Sequence, residues 1–294
     1  MIFGHHNSAL QLQASAPTAG VTNMTITAIA IAFLLATAIV LPALKLKLLT
    51  RDGAVAAVIL GTIIHACAPW YGTLSLLLFF GSSAYLSRNR KKSLPASIVE
   101  DVVAKGDKRD AAQVLANGGV AALCAVMIVV SKRNPIWDAA LLGAIAAAMA
   151  DTWSTEIGRT YGTNPVDWFT RKPVMPGTSG GITMAGIYGS FGGAITLAVI
   201  GWMSITNWQV ASPVSFAVIF GGILGATADT MLGSTMQELR RCAICSTTTE
   251  KVYHCGKRTR MYRGIKGFNN DVVNFVCSLT GAVVAGVIIK FVLG

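Results

Sequence analysis

The stretch IWDAALLGAIAAAMADTWSTEIG, residues 136–158, decides how this chain is expected to fold. Its first part is a nearly continuous apolar run, and the whole stretch is long enough to cross a bilayer, which takes about 20 residues. It then carries two acids, Asp151 and Glu156, and a shorter echo, ATADT, follows at 226–230. Charged side chains inside membrane helices are costly and usually mark a functional site. The stretch therefore predicts membrane helices that carry acids to a shared site.

The composition extends this interpretation to almost the whole chain. Of 294 residues, 53% are hydrophobic and only 13% are charged, whereas soluble domains carry about 25% charged residues. Thirty glycines favour closely packed membrane helices. We expect an all-α, polytopic transmembrane bundle of seven to eight spans that forms a single domain over 24–294. Residues 1–23 contain no Lys or Arg, unlike a signal peptide, and are expected to be a disordered leader.

Eight segments are candidate spans by length and hydropathy. They are 24–44, 53–70, 73–87, 112–131, 136–158, 178–203, 213–234 and 271–293. The third is short, so the alternative for 53–87 is a re-entrant pair broken at Pro69, which would leave seven spans.

Basic residues concentrate in the odd-numbered loops, and the second and sixth loops contain none. The positive-inside rule therefore places the odd loops in the cytoplasm, and eight spans place both termini outside. The formal net charge of +11 then reports loops that face anionic lipid or phosphorylated substrates. Membrane lipids are expected partners, and nucleic acid is not.

Spans four to seven have the pattern of a duplicated two-helix unit. Each half begins with a glycine pair, NGG at 117–119 and SGG at 179–181, and each half ends with A-x-A-D-T. Both halves begin on the same side, so the pattern predicts parallel repeats, a known plan of membrane proteins.

Every polar motif of the membrane region falls at the inner end of a predicted span. Among these residues Asp151, Asp229 and Asp271 predict a carboxylate cage for Mg²⁺, which prefers one or two carboxylates together with phosphate oxygens. The alternative is hydrogen bonding between helices. Glu156 follows Asp151 by five residues and lies on a neighbouring side, where it can pair with Arg159 or a phosphate-binding lysine.

Two segments predict anion binding. GTSGGIT, residues 177–183, is expected to begin the sixth helix, where free backbone N–H groups and the helix dipole favour a phosphate, with Lys172 adding charge. The alternative is close helix packing through small residues. Lys108 and Arg109 are expected to clamp phosphates. The basic run RNRKK at 88–92 is instead expected to set topology and to face lipid.

The predicted cytoplasmic loop 236–268 contains CAIC, with Cys242 and Cys245, followed by His254 and Cys255. These four either bind a structural Zn²⁺ or remain uncommitted thiols. Because all four ligands would come from protein, such a site would leave no place for a catalytic water.

Five motifs in this order resemble the family of the plant phytyl-phosphate kinases and its largely uncharacterised prokaryotic and animal relatives. They are KRDAAQVLANGG, ADTWSTEIG, GTSGGI, DTMLG and NNDVVN, and the resemblance covers roughly residues 30–294. It implies phosphoryl transfer from a nucleoside triphosphate, CTP or ATP, to an isoprenyl monophosphate resembling phytyl, farnesyl or geranylgeranyl phosphate, giving the diphosphate. One departure is Ser234, which stands where alanine is expected.

The resemblance and the motifs together give a full set of candidate residues. The expected catalytic residues are Asp151, Asp229, Asp271, Lys108 and Arg109. The expected substrate-binding residues are Asn117, Glu156, Arg159, Lys172, Gly177, Thr178, Ser179, Gly180, Gly181, Asn270 and Asn274. The site is expected to face the cytoplasm, or the stroma in a plastid, and assembly into a homo-oligomer is compatible with this interpretation.

Two other functions stay open at this point. A secondary transporter or lipid flippase also uses repeats and buried carboxylates, although its site should lie nearer the bilayer midplane. A CTP-dependent cytidylyltransferase would share the nucleotide and the metal but transfer the nucleotidyl group.

Overall fold

The computed structural model describes residues 25–93, 108–204 and 208–293. Within these ranges the chain forms eight helices, which confirms the all-α polytopic bundle. They are α1 (Ile26–Lys45), α2 (Arg51–Cys67), α3 (Trp70–Ser93), α4 (Ala111–Val130), α5 (Pro135–Tyr161), α6 (Met184–Met203), α7 (Trp208–Thr235) and α8 (Asn270–Leu293). The predicted leader, residues 1–23, lies outside the described residues.

The segment 53–87 forms parts of two separate helices. The helical conformation is interrupted at Ala68 and Pro69, so that α2 has 17 residues and α3 has 24. At 1.5 Å per residue these helices are about 26 and 36 Å long. The expectation of a short third span is therefore wrong, because α3 continues through the basic run to Ser93.

Local capping chemistry explains where the central helices begin. At α4 the Asp110 side chain accepts from the Gln113 backbone N–H at 2.9 Å, and the Gln113 side chain accepts from the Asp110 N–H at 3.2 Å. This reciprocal capping box satisfies two amides that the helix leaves unpaired. At α5 the Asn134 side chain caps the helix, and Pro135 occupies its first turn, where a missing N–H costs nothing.

Helix α6 begins at Met184, not at residue 178 as expected. Residues Val166–Asp167 (β1) and Gly181–Ile182 (β2) pair antiparallel just before it. Gly177 and Gly180 adopt φ angles of +90° and +79°, which a right-handed helical turn does not allow. The glycine-rich segment is therefore a loop that precedes the helix, and the argument from the dipole of α6 does not apply to it.

Helix α5 occupies the centre of the bundle. Twelve consecutive residues, 139–150, are buried, because α3, α4, α6, α7 and α8 all pack around it. Glycines let its neighbours approach to backbone contact: a Cβ on Gly143 would lie 2.4 Å from the Gly281 carbonyl oxygen. Because these contacts join backbones, the spacing of α5 and α8 depends on the absence of side chains at these two positions.

Five of the helices in the described ranges are long and apolar enough to cross a membrane: α1, α4, α6, α7 and α8. Large apolar side chains cover their outer faces, and Leu34, Leu123 and Phe291 have 65%, 65% and 82% of their surface exposed. A surface of this kind is suited to contact with lipid.

The loop predicted at 236–268 is a small β unit between α7 and α8, a feature that its sequence did not indicate. It contains β3 (Leu239–Arg241), β4 (Thr248–Thr249), β5 (Tyr253–His254), β6 (Lys257–Arg258) and β7 (Arg260–Arg263). Strand β3 pairs antiparallel with both β4 and β7, and β5 and β6 form a separate hairpin.

Candidate functional site

A polar cavity of about 1040 Å³ lies where the bundle meets the loop before α6 and the β unit. Its walls mix charges of both signs. The cations are Lys47, Arg88, Arg90, Lys108, Arg109, Arg159 and Lys251, and the acids are Asp151, Glu156, Asp229 and Glu250. Seven cations against four acids give the cavity a net positive charge that favours anionic ligands.

Most of the residues expected from sequence meet at this cavity. Those that line it are Lys108, Arg109, Asn117, Asp151, Glu156, Arg159, Gly177, Thr178, Ser179, Gly180, Gly181, Asp229, Asn270 and Asn274. Their chemical roles stay predictions. Lys172 and Asp271 are not among the lining residues.

Asp271, the third expected carboxylate, lies outside the cavity lining. At the start of α8, Asn270 and Asn274 line the cavity. These two are four residues apart and share one helix face, whereas Asp271 is rotated by about 100° from Asn270. The cavity lining thus contains two of the three expected carboxylates together with two amide side chains, and the metal-binding role of the three acids stays a prediction.

Lys172 also lies outside the cavity lining, and its predicted role in substrate binding stays a prediction. Its side chain is exposed, and its backbone carbonyl accepts a hydrogen bond from the Asp167 N–H at 2.9 Å. This contact holds the chain between α5 and β2, and the exposed side chain is not among those that line the cavity. Arg159 donates to the Gly177 carbonyl at 3.4 Å, so it is a cavity-lining cation that lies beside the glycine-rich loop.

The floor of the cavity is formed by Asp151 on α5 and Asp229 on α7. Their carboxyl groups lie close enough to interact through a hydrogen bond. Asp229 Oδ2 is buried and has no hydrogen-bond partner within the described ranges. Two adjacent carboxylates that are partly removed from water repel unless a proton or a cation lies between them. The unpaired oxygen and the all-oxygen donor set fit a hard cation such as Mg²⁺.

Glu156 does not contact this floor. It accepts a hydrogen bond and salt bridge from Arg90 Nε at 2.8 Å, and both side chains are nearly buried. The expectation that the basic run 88–92 faces lipid is therefore wrong for Arg88 and Arg90, which line the cavity. The side chains of the other two cations in that run, Lys91 and Lys92, lie outside the described part of the structure.

Arg109 is held in place from several sides. Its guanidinium lies over the rings of Phe79 and Phe80, at 5.5 and 5.4 Å from their centroids, as in cation–π contacts. Its backbone carbonyl accepts from the Thr50 N–H at 3.0 Å. A Cβ on Gly53 would lie 2.2 Å from that same carbonyl oxygen, so α2 begins directly against Arg109.

Asp167 anchors the glycine-rich loop to α7 and to the β unit, although no sequence motif singles it out. Its carboxylate accepts from Ser234 Oγ at 2.7 Å, Arg263 Nη1 at 3.2 Å and the Thr170 N–H at 2.9 Å. Burial alone raises the pKa of Asp167, but these hydrogen bonds and the Arg263 charge outweigh it and hold the pKa below its usual value. The group is therefore an ionised anchor at neutral pH.

Arg263 and Gly180 complete this anchor. Arg263 Nη2 donates to the Ser179 carbonyl at 3.1 Å and to the Gly233 carbonyl at 2.9 Å. A Cβ on Gly180 would lie 2.4 Å from Ser234 Cα, so the glycine-rich loop presses against the end of α7. Ser234, the departure from the family motif, thus has a structural use: its hydroxyl ties α7 to Asp167.

Glu250, which follows β4, brings a further acid to the cavity. Its Oε1 accepts from Ser179 Oγ at 2.5 Å and from Gln237 Nε2 at 2.9 Å. Sequence reasoning missed it, and the one available signal was that Glu238 and Glu250 are the two acids of a strongly basic loop.

The four residues of the predicted zinc site come together outside the bundle. The ligand atoms of Cys242, Cys245, His254 and Cys255 all lie within 4.8 Å of one another. Hydrogen bonds from the backbone N–H groups of Cys245 and Ile244 lower the pKa of the Cys242 thiol to about 6.

Residues 34–282 match the family model described as Integral membrane protein DUF92. This chain belongs to that family. The match includes every residue that lines the cavity, from Leu46 to Asn274, and all four Cys and His residues of the cluster. The membership also makes the chain a multi-pass membrane protein, as its helices indicate.

Curated relatives support the DUF92 assignment. Protein PGR of Arabidopsis thaliana is 28% identical over 80% of this chain and 87% of its own length. An uncharacterized membrane protein of Synechocystis is 29% identical over 86% of each chain. Protein VTE6, chloroplastic, of Arabidopsis thaliana is 21% identical over 83% of this chain and 66% of its own length. These relatives confirm the family resemblance found in the motifs. No solved structure matches this chain.

Proposed function

We propose that this DUF92 protein is a membrane-embedded kinase that transfers a phosphoryl group from CTP or ATP to an isoprenyl monophosphate, giving the diphosphate. The observation that carries the proposal is the charge pattern of one cavity. A partly buried carboxylate pair, Asp151 and Asp229, lies in a cavity lined by seven cations, and Asp229 Oδ2 is itself buried with no hydrogen-bond partner within the described ranges. Such a pair repels phosphate by itself, so its presence among phosphate-binding groups favours a metal–polyphosphate ligand.

Phosphoryl transfer suits this arrangement because it asks little covalent chemistry of the protein. Catalysis consists almost entirely of positioning the reactants and neutralising charge. Asp151 and Asp229 would hold Mg²⁺, which would supply charge neutralisation on the phosphates when bound. Because the acceptor is already an anionic phosphate, no strong general base is required, and histidine is absent from the cavity lining within the described ranges.

The cations have separate proposed tasks. Arg109 is already oriented by Phe79 and Phe80, so it can contact a phosphate without first losing side-chain freedom. Arg159, beside Gly177, would act on the side of the glycine-rich loop. That loop offers backbone N–H groups at positions where glycine lets a phosphate approach closely.

One side of the cavity is suited to the lipid. Leu46, Leu48, Phe80 and Ala84 line it where the connection between α1 and α2 meets α3. This apolar side would take the isoprenyl chain next to its phosphate. We propose that the cavity opens toward the cytoplasm or stroma, in agreement with the positive charge of the odd loops.

The cavity favours an enzyme over a transporter. Transport sites lie near the bilayer midplane between repeats. Here the loop 175–183 and residues Gln237, Glu250 and Lys251 of the β unit contribute to the lining, which supports a site at one end of the bundle. A cytidylyltransferase would use the same charges and is separated from a kinase by assay.

The test uses full-length protein purified in detergent, Mg²⁺ and phytyl, farnesyl or geranylgeranyl monophosphate. Parallel reactions contain γ-labelled CTP or ATP and α-labelled CTP. We expect γ-label in a lipid diphosphate and loss of at least about 100-fold in rate for Asp151→Asn. Label from α-CTP in the lipid, with release of pyrophosphate, would replace the kinase by a cytidylyltransferase. Absence of turnover together with movement of the lipid phosphate across vesicles would support transport.

A further inference from the structure

We propose that Cys242, Cys245, His254 and Cys255 bind a structural Zn²⁺ that fixes the β unit and thereby holds Glu250 against the glycine-rich loop. The metal site stands on its own geometry. Its consequence for the cavity rests on the proposed function, and the two parts are tested separately below.

The distances match a tetrahedral zinc site. His254 Nδ1 lies 3.4 Å from Cys245 Sγ and 3.2 Å from Cys255 Sγ, and the two sulfurs are 3.7 Å apart. Zinc binds sulfur at about 2.3 Å and nitrogen at about 2.0–2.1 Å, so a tetrahedron places its ligand atoms about 3.5–3.8 Å apart. Three edges of the cluster therefore already have about the length that one ion requires.

The backbone around the cluster is built like a pair of facing turns. The first turn joins β3 to β4 and carries Cys242 and Cys245, with the Ile244 N–H donating to Cys242 Sγ at 3.4 Å. The second joins β5 to β6 through Cys255 and Gly256, both with positive φ, +49° and +73°. A two-residue turn of this type favours Asn, Asp or Gly. A cysteine there is costly for the backbone, and metal ligation supplies a reason for its presence.

A disulfide between Cys245 and Cys255 explains the arrangement of the four residues less well than a zinc ion. Bonded sulfurs lie about 2.05 Å apart, whereas Cys245 Sγ and Cys255 Sγ are 3.7 Å apart. A bond between them would also leave Cys242 and His254 without a role, although their ligand atoms converge with the other two. One tetrahedral ion uses all four.

The cluster is linked to the cavity through strand β4. The Cys242 N–H donates to the Thr247 carbonyl at 3.0 Å, which closes the first turn, and β4 then pairs with β3. Glu250 follows β4 directly. On the other side, Thr259 Oγ1 donates to the Lys251 carbonyl at 2.7 Å. The segment that carries Glu250 and Lys251 is therefore held on both sides, by the pairing of β4 with β3 before it and by the Thr259 hydrogen bond after it.

Glu250 is one of the points at which the unit contacts the site, and Arg263, which donates to the Ser179 carbonyl, is another. The hydrogen bond that Glu250 accepts from Ser179 Oγ, at 2.5 Å, reaches the loop that would bind phosphate. Glu250 is thus a positioning residue, because it holds Ser179 and through it the loop. Loss of zinc would therefore weaken the hydrogen bond between Ser179 and Glu250, although the metal does not contact either residue.

The metal is tested on full-length protein purified without chelators, by elemental analysis. We expect about one zinc ion per chain in the wild type and in Cys124→Ala, whose thiol is buried in α4, and loss of the ion in Cys245→Ser. A wild type free of zinc would overturn the proposal. A Cys245–Cys255 disulfide in the intact mass, or unchanged zinc in Cys245→Ser, would overturn it as well.

Trypsin provides a structural readout that does not depend on activity. The segment 236–268 contains eight Lys and Arg residues: Arg240, Arg241, Lys251, Lys257, Arg258, Arg260, Arg263 and Lys266. Removing zinc with a strong chelator should accelerate cleavage within this segment by about tenfold or more, because opening of the β unit becomes more frequent. Equal cleavage rates with and without chelator would contradict a structural ion.

The link to the cavity is tested with two variants of Glu250. Glu250→Ala should keep zinc but raise the KM for the nucleotide about fivefold to tenfold, with a smaller change in kcat. Glu250→Gln keeps an oxygen that can accept from Ser179 and should restore most of the binding. An unchanged KM in Glu250→Ala, or equal defects in both variants, would overturn the positioning role. If no variant and no wild type turns over, the proposed kinase fails while the zinc measurements keep their meaning.

Discussion

The cavity has two walls that are held in different ways. The helix wall carries Asp151, Asp229 and Asn274 on α5, α7 and α8, which pack through backbone contacts at glycines. The loop wall consists of the segment 175–183 and the part of the β unit around Glu250, and it is held by individual polar links. A change in the helix wall should therefore act on the whole fold, whereas a change in the loop wall should act on ligand binding.

The largest effect is expected where two backbones touch. Gly143→Ala places a Cβ about 2.4 Å from the Gly281 carbonyl oxygen, and overpacking of this kind costs about 1–3 kcal/mol of the free energy of unfolding. Gly119→Ala in α4 is the matched control, because no atom lies within 4 Å of its added Cβ and alanine favours a helix. Thermal unfolding in detergent compares them. Equal stability of the two variants would show that glycine packing does not hold the helix wall.

A substitution in the carboxylate pair should raise the stability of the protein and lower its activity. Asp229→Asn removes one of two adjacent, partly buried charges, so the melting temperature of the ligand-free protein should rise by about 2–4 °C, the effect of about 1 kcal/mol. Its transfer rate should fall at least about 100-fold. Asp271→Asn, on the same wall but outside the cavity lining, should keep its rate. A comparable loss of activity in both variants would support the three-carboxylate cage.

The Arg90–Glu156 pair connects α3 to α5 on the helix wall. Arg90→Gln leaves a nearly buried carboxylate without its ion-pair partner, and we expect a loss of about 2 kcal/mol in the free energy of unfolding. The double variant Arg90→Gln/Glu156→Gln should recover most of this loss, since no charge is then left uncompensated. Chemical denaturation of the three variants measures the coupling, and additive losses would mean that the salt bridge contributes little.

The smallest effect is expected in the loop wall, from a single hydroxyl. Ser234→Ala removes the 2.7 Å hydrogen bond to Asp167, worth about 1 kcal/mol, while Arg263 still holds that carboxylate. The KM for the nucleotide should rise about twofold to fivefold. Ser215→Ala, which removes a hydroxyl bonded to the Ala198 carbonyl inside the bundle, is the control and should leave KM unchanged. Equal changes in KM for Ser234→Ala and Ser215→Ala would show that the loop wall and the helix wall do not differ in their effect on nucleotide binding.

Residues of both walls could be named from the sequence, but the contacts that hold the loop wall in place could not. Long apolar segments locate helices, and an acid within such a segment, such as Asp151, stands out against its neighbours. The loop wall depends on partners far away in the chain: Ser179 meets Glu250 across 71 positions and Asp167 meets Arg263 across 96. No local pattern indicates such pairs.

Two predictions, the lipid-facing position of Arg90 and the start of α6, were wrong because composition and hydropathy do not register three-dimensional contacts or backbone angles. Arg90 lies in a basic run at the end of a helix, and such a run has the same composition whether it faces lipid or a buried carboxylate 66 positions away. Hydropathy places the start of α6 too early because it does not register the positive φ angles of Gly177 and Gly180. The cysteine cluster was easier to predict, since the spacing within CAIC is itself a ligand pattern.

The central position of α5 has a consequence for how the protein is made. This helix is surrounded on all sides, yet it is not among the five described helices apolar enough to cross a membrane on length and composition. Each ionised residue at the middle of a lone inserting helix costs about 2.5–3.5 kcal/mol. We therefore expect α5 to leave the insertion machinery only after α6, α7 and α8 have been synthesised, so that the bundle assembles around Asp151 in one late step.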